Sequence, residues 1–197
     1  DCYCLNYRTA TPESFVSGLM PKPLDDLAAA LRFIQHKRSK AEDYYVAGFS
    51  AGGHLASLWG TAALGAPKYD LPLPKGLLLG YPLISLTHIP EPLNSYFRKG
   101  LFGASFESET ADLYNAAGQM TQAYPPFYLV RAADDTTVSP QDGENMETAA
   151  RRCKVPHKME TASAGGHGFG PGTGTPLAGW LKRGMAFLDT TQDTAAK

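Results

Sequence analysis

Short apolar runs alternate along this chain with segments whose apolar residues recur at helical spacing, and this alternation restricts the fold more than any other feature. Strands separated by amphipathic helices build a mostly parallel sheet covered by helices on both faces. Residues 2–7 read as a strand, and Leu24, Leu27, Ala28, Leu31 and Ile34 then recur at helical spacing behind the breakers Pro21 and Pro23. Residues 44–47 form a second apolar run ending at Gly48. Leu55, Ala56, Leu58 and Trp59 follow as a buried helix that gives out near Gly65-Ala66-Pro67. Residues 75–79, 127–130 and 155–160 supply three more strands, with helices at 141–152 and 177–188. Residues 82–126 are rich in Pro, Gly, Ser and Asn, with weak helical character only around 109–116, and read as a loop insertion above the sheet. No internal repeat is visible.

The bulk properties fit one such unit. A chain of 197 residues with 43% hydrophobic content can bury one core and not two comfortable ones, so residues 1–190 are expected as a single α/β domain. Residues 191–197 read as a disordered tail. Eighteen Lys and Arg against nineteen Asp and Glu leave no basic excess for phosphates or anionic lipid. Nucleic acid and membrane are therefore not expected partners, and the longest apolar runs fall far short of the roughly 20 residues that span a bilayer. Cys2 and Cys4 alternate along the first strand, where they would share a face as small apolar residues; with Cys153 they are expected as reduced structural thiols. The compartment stays open, with a cytoplasmic setting favoured.

The chemistry begins at Gly48-Phe49-Ser50-Ala51-Gly52, a G-x-S-x-G sequence with a short strand before it and a helix after it. A serine hydroxyl is a poor nucleophile until a base takes its proton, and it is accessible only if the backbone thrusts it out of a tight turn. Glycines two residues away on either side leave space for that turn. The bland alternative is an ordinary glycine-rich turn between a strand and a helix.

Partners of such a serine should follow as an acid and then a histidine, each on a loop at the carboxyl end of a later strand. After the strand at 127–130 comes Arg131-Ala132-Ala133-Asp134-Asp135-Thr136-Thr137-Val138, whose two acids can both reach an imidazole. After the strand at 155–160 comes Gly165-Gly166-His167-Gly168-Phe169. His167 is the best placed of five histidines. His36 falls at a helix end, His88 in the insertion and His157 within a strand, and each reads as structural or solvated. His54, just past the elbow, reads as a packing or hydrogen-bonding residue.

These residues carry a resemblance. Asn6-Tyr7-Arg8, the elbow extended through Gly53-His54-Leu55-Ala56, then Tyr81-Pro82-Leu83-Ile84-Ser85, Pro125-Pro126-Phe127, Asp134-Asp135-Thr136-Thr137-Val138 and the His167 loop resemble the acetyl esterase/lipase family of α/β-hydrolases. Within it the chain is most similar to the small branch without a cap that includes acetylxylan esterases and related carbohydrate deacetylases. The resemblance implies an α/β-hydrolase fold and a catalytic triad of Ser50, Asp135 and His167, Asp135 being selected because the acid stands three residues before a valine. It implies hydrolysis of short acyl esters, with acetylated carbohydrates as one class, through an acyl-enzyme and without cofactor or metal. The backbone N–H of Ala51 would be one oxyanion donor. The second donor in that family comes from a His-Gly-Gly loop preceding the strand matched by residues 2–7, so the resemblance further implies an incomplete amino-terminal part, lacking the first strands. Two positions depart from the family pattern: Arg131 replaces a histidine and Ser139 a proline. Other readings are a hydrolase-like scaffold without activity and a serine peptidase of the prolyl oligopeptidase type, which normally brings a propeller domain. The expected partner is a small ester substrate, with the oligomeric state open.

Overall fold

The computed structural model describes residues 1–38, 43–86, 89, 91, 93–104 and 108–195. In chain order, α1 (Ser14–Ser17) and α2 (Lys22–Lys37) precede β1 (Tyr45–Phe49), and α3 (Ala51–Trp59) leads to β2 (Gly76–Gly80). Helices α4 (Leu93–Phe102) and α5 (Ser108–Leu113) lie in the connection to β3 (Phe127–Ala132), after which come α6 (Pro140–Cys153), β4 (His157–Ala162) and α7 (Trp180–Ala195). The strands pair in the order β1-β2-β3-β4, and every pairing is parallel. Parallel neighbours need crossovers, and each connection carries at least one helix.

Side chains of the central strands alternate between two cores. Leu77, Leu79, Phe127 and Leu129 join Leu24 and Leu31 of α2, Leu58 and Trp59 of α3, and Met146 of α6. Leu78, Tyr128 and Val130 turn to the opposite face, against Trp180 and Leu188 of α7. Because helices cover both faces, β2 is buried at every position and reads in sequence as an unbroken apolar run. A glycine in the middle of α7 allows the close approach: a Cβ on Gly184 would lie 2.5 Å from the Leu78 side chain.

Three sequence expectations change. Residues 2–7 form no strand: among the described residues they have no ladder partner, and β1 is an edge of the described sheet. An extended segment becomes a strand only when a neighbour takes its N–H and C=O groups. This one is held by side chains instead, with the Arg8 guanidinium forked onto Asp26 of α2 at 2.7 to 3.0 Å and Tyr7 packed on the main core. Cys2 and Cys4 are consequently exposed rather than sharing a buried face, while Cys153 is half-buried and its thiol donates to the Met120 carbonyl at 3.2 Å. The insertion holds α4, which had not been anticipated; Phe97, Leu101 and Phe102 pack it onto Leu83, Leu86, Ala111 and Val138. Finally, α7 continues through Ala195 instead of giving way at residue 191, and the Gln192 amide donates to the Lys75 carbonyl at 2.9 Å. Among the described residues no helix is long and apolar enough to cross a membrane.

Candidate active site

Ser50 stands between β1 and α3 with φ 52° and ψ −119°, a left-handed setting that costs a non-glycine residue energy and persists only where neighbours hold it. Those neighbours are identifiable. The Ser50 N–H donates to the Gly80 carbonyl at 3.0 Å, and the Ser50 carbonyl accepts from His54 at 3.0 Å and from Leu83 at 3.2 Å. A Cβ on Gly48 would lie 2.1 Å from the Gly52 carbonyl oxygen, and one on Gly53 would lie 2.7 Å from Pro82. Gly52 itself is less constrained, its nearest neighbour being the Tyr7 hydroxyl at 3.6 Å, so the second glycine that sterics require is Gly53.

The loops after β3 and β4 bring the other groups to this serine. Ser50 Oγ lies 2.8 Å from His167 Nε2, and His167 Nδ1 lies 2.8 Å from Asp135 Oδ2. With the ring proton on Nδ1, the imidazole donates to Asp135 and leaves Nε2 to accept the serine hydroxyl. The second oxygen of Asp135 accepts the N–H groups of Thr137 at 2.8 Å and Val138 at 3.0 Å, so a nearly buried carboxylate has all its partners. Asp134 points elsewhere. Its carboxylate accepts the N–H groups of Gly165 at 3.3 Å and Gly166 at 2.8 Å, and the Gly166 bond above all holds its pKa below the usual carboxylate range.

The profile of a family described as alpha/beta hydrolase fold matches residues 1–170. The chain belongs to the α/β-hydrolase fold family. It is 26% identical over 193 residues to endo-1,4-beta-xylanase B of Butyrivibrio fibrisolvens, a match covering 91% of this chain and only 29% of that protein's length. Among solved structures it is similar to an acetyl ester-xyloside bifunctional hydrolase from Caldicellulosiruptor lactoaceticus, with TM-score 0.73, 25% identity, and 97% of this chain and 70% of that one covered. A carboxylesterase from Lactobacillus plantarum superposes with TM-score 0.65 at 24% identity, covering 78% of this chain and 57% of that one. A truncated carbohydrate esterase from gut microbiota shares the fold with TM-score 0.70 at 16% identity, covering 91% and 70%.

In this α/β-hydrolase chain Ala51 opens α3, so its N–H is among those that a helix start leaves without a helical carbonyl. Of the two pairs of adjacent glycines, Gly165 and Gly166 have their N–H groups bonded to Asp134, while those of Gly52 and Gly53 lie, like that of Ala51, in the first turn of α3. Among the described residues, no other histidine side chain bonds to Ser50, Asp135 or His167. His54 is buried, and its Nε2 is 2.8 Å from the Tyr114 carbonyl; burial pushes its pKa down, against smaller upward effects of that bond and of Asp142. His157 stacks on Phe127 and reaches the Val155 carbonyl through Nδ1 at 2.8 Å, His36 is exposed at the end of α2, and His88 lies outside the described residues. Among the described residues no three His, Cys, Asp or Glu side chains gather as a metal site.

The two departures from the family pattern have local explanations. Arg131 donates to Thr161 Oγ1 at 3.1 Å, to Glu144 at 3.2 Å and to the Pro140 carbonyl, tying β3 to β4 and to the start of α6. A Cβ on Gly143 would lie 3.0 Å from its Cδ, so a glycine inside α6 makes room for this side chain. Ser139 caps α6 by accepting the Gln141 N–H at 3.2 Å. One residue that sequence reading quoted without a role also belongs to the site. Tyr81, at φ 35°, meets the His167 ring edge-on at 4.9 Å, and its hydroxyl accepts the Gly170 N–H at 3.1 Å. The signal was a tyrosine directly before a proline at a strand end.

Proposed function

We propose that this chain is a serine-dependent carboxylic ester hydrolase for short acyl esters, working through an acyl-enzyme. The observation that carries the reading is the continuous bonded path from Ser50 through His167 to Asp135, both links at 2.8 Å. In the first step His167 Nε2 takes the hydroxyl proton while Ser50 Oγ attacks the ester carbonyl, and the protonated ring then returns that proton to the departing alcohol. Asp135 keeps the ring in the right tautomer and stabilises its charged form. Water repeats the sequence on the acyl-enzyme and frees the acid. The Ala51 N–H, at the positive end of α3, stabilises the tetrahedral oxyanion.

The acyl group is read from the insertion. Its apolar residues Phe97, Leu101 and Phe102 are turned into a cluster with Leu83, Leu86 and Val138, which leaves little of that surface for a long chain. Each methylene left in water forgoes ~0.8 kcal/mol. Acetyl esters are the favoured class, and the names of the xylan-linked relatives direct attention to acetylated carbohydrates as the alcohol side. A second reading, a scaffold with little turnover, is favoured by the lack of a His-Gly-Gly sequence in these 197 residues. Reaction with a serine-directed phosphonate separates the two: stoichiometric labelling at Ser50 supports the esterase, and none supports the scaffold. Comparing kcat/KM for acetyl, butyryl and octanoyl esters of one phenol then tests chain length, and a maximum at octanoyl refutes the acetyl assignment.

A further inference from the structure

The loop that carries His167 is made of residues that resist being ordered. Gly165, Gly166, Gly168 and Gly170 all have positive φ, and a Cβ on Gly166, Gly168 or Gly170 would meet nothing within 4 Å. Glycine loses more backbone freedom on folding than any other residue, and the loop's packing comes from only two side chains, His167 and Phe169 against Tyr81. Besides that packing and the bonds of the His167 ring itself, the loop backbone is held by a short set of hydrogen bonds at its two ends. At the far end the Tyr81 hydroxyl accepts the Gly170 N–H at 3.1 Å, and Trp180 Nε1 donates to the Gly170 carbonyl at 3.0 Å. At the near end the hold comes from Asp134, one oxygen on Gly165 and the other on Gly166, the residue next to His167.

We propose that Asp134 is a positioning residue for His167, its carboxylate fixing the near end of the glycine loop so that the imidazole spans Ser50 and Asp135. The proposal rests on the esterase reading for its kinetic consequence and on geometry alone for its structural one. Neighbouring acids thus divide the labour: Asp135 bonds the ring, and Asp134 bonds the backbone that presents it. Both Asp134 bonds join an ionised acceptor to a backbone donor, which makes them stronger than neutral ones. By sequence either acid can reach an imidazole, yet their side chains diverge to different partners. An asparagine at 134 keeps one carbonyl oxygen for the loop but turns an NH₂ donor toward the other N–H, so it should act between aspartate and alanine.

Asp134→Ala and Asp134→Asn are compared with the unaltered chain by two measurements. The first is steady-state kinetics on an acetyl ester. A misplaced base of this kind costs roughly 10- to 100-fold, so Asp134→Ala should lose that much in kcat with little change in KM and a near-normal melting temperature, and Asp134→Asn should fall between. The second is the downfield proton resonance of the His167 Nδ1–H bonded to Asp135, which needs no turnover. It should be sharp in the unaltered chain, broadened in Asp134→Asn and lost to exchange in Asp134→Ala. An unchanged resonance and kcat in Asp134→Ala overturns the proposal, as does a loss of kcat fully accounted for by a smaller folded fraction. Should the unaltered chain neither hydrolyse esters nor react with the phosphonate, the esterase reading fails by itself, and the resonance still decides the role of Asp134.

Discussion

Residues 2–7 and β2 have a similar extended, apolar character in sequence, yet only β2 is a strand. β2 is paired on both sides and buried at all five positions, whereas residues 2–7 have no ladder partner among the described residues and leave Cys2 and Cys4 exposed. The difference teaches that local pattern proposes a strand and lateral pairing decides it. It also divides the site. Ser50, Asp135 and His167 hang from the ends of paired strands, while the first turn of α3, with the Ala51 N–H, borders the unpaired segment where Tyr7 approaches Gly52.

The largest test of that division is Ser50→Ala, expected to lower kcat by roughly 10⁴- to 10⁶-fold, with His167→Ala added to it costing little more because the groups act as a unit. Steady-state turnover of an acetyl ester measures both, and near-normal activity in Ser50→Ala removes the assignment. Asp135→Asn comes next, at about 10⁴-fold in kcat with KM little altered. If Asp134→Asn were the more damaging substitution, the acid would move by one residue.

Stability separates the two regions directly. Leu79→Ala, in the paired and fully buried β2, should cost about 2–5 kcal/mol in a urea titration, as truncations of buried leucine do. A smaller and conditional effect belongs to His54, which joins the elbow helix to the Tyr114 carbonyl. Burial lowers its pKa in the folded chain below the ordinary value of 6.5. As pH falls below about 6.5 the unfolded chain therefore binds the proton more readily, and stability declines through that window. Urea midpoints at about pH 7 and about pH 5 should show this slope, flattened in His54→Gln. Smallest of all, Cys4→Ser in the unpaired segment should stay within about 0.5 kcal/mol of the unaltered chain. A cost comparable to Leu79→Ala would mean that residues 2–7 are integrated into the sheet after all.

Legibility in the sequence follows the same physics. The runs that became β2 and β3 were recognisable because both faces are buried, which fills them with apolar residues irrespective of register, whereas β1 and β4 at the edges of the described sheet are only partly covered. The elbow was legible because a strained turn accepts few residues, and Gly48 has no room for a side chain. Helix α4 was not, since Asn94, Ser95 and Gly100 are poor helix formers and its support is tertiary, from the cluster around Leu83 and Val138. The bonds of Asp134 to Gly165 and Gly166 escaped for another reason. They join positions 31 and 32 residues apart through backbone donors, which leave no trace in side-chain identity.

Helix α7 links the two poles of the molecule. Trp180 at its start bonds Gly170 of the histidine loop, and Gln192 near its end bonds Lys75 at the foot of β2, beside an open groove lined by Asp43, Tyr45 and Asp189. At 1.5 Å per residue those two anchors stand roughly 18 Å apart along the helix axis. A tether joined beyond α7 would thus emerge at the pole opposite Ser50. A passenger joined there would leave the approach to Ser50 unobstructed.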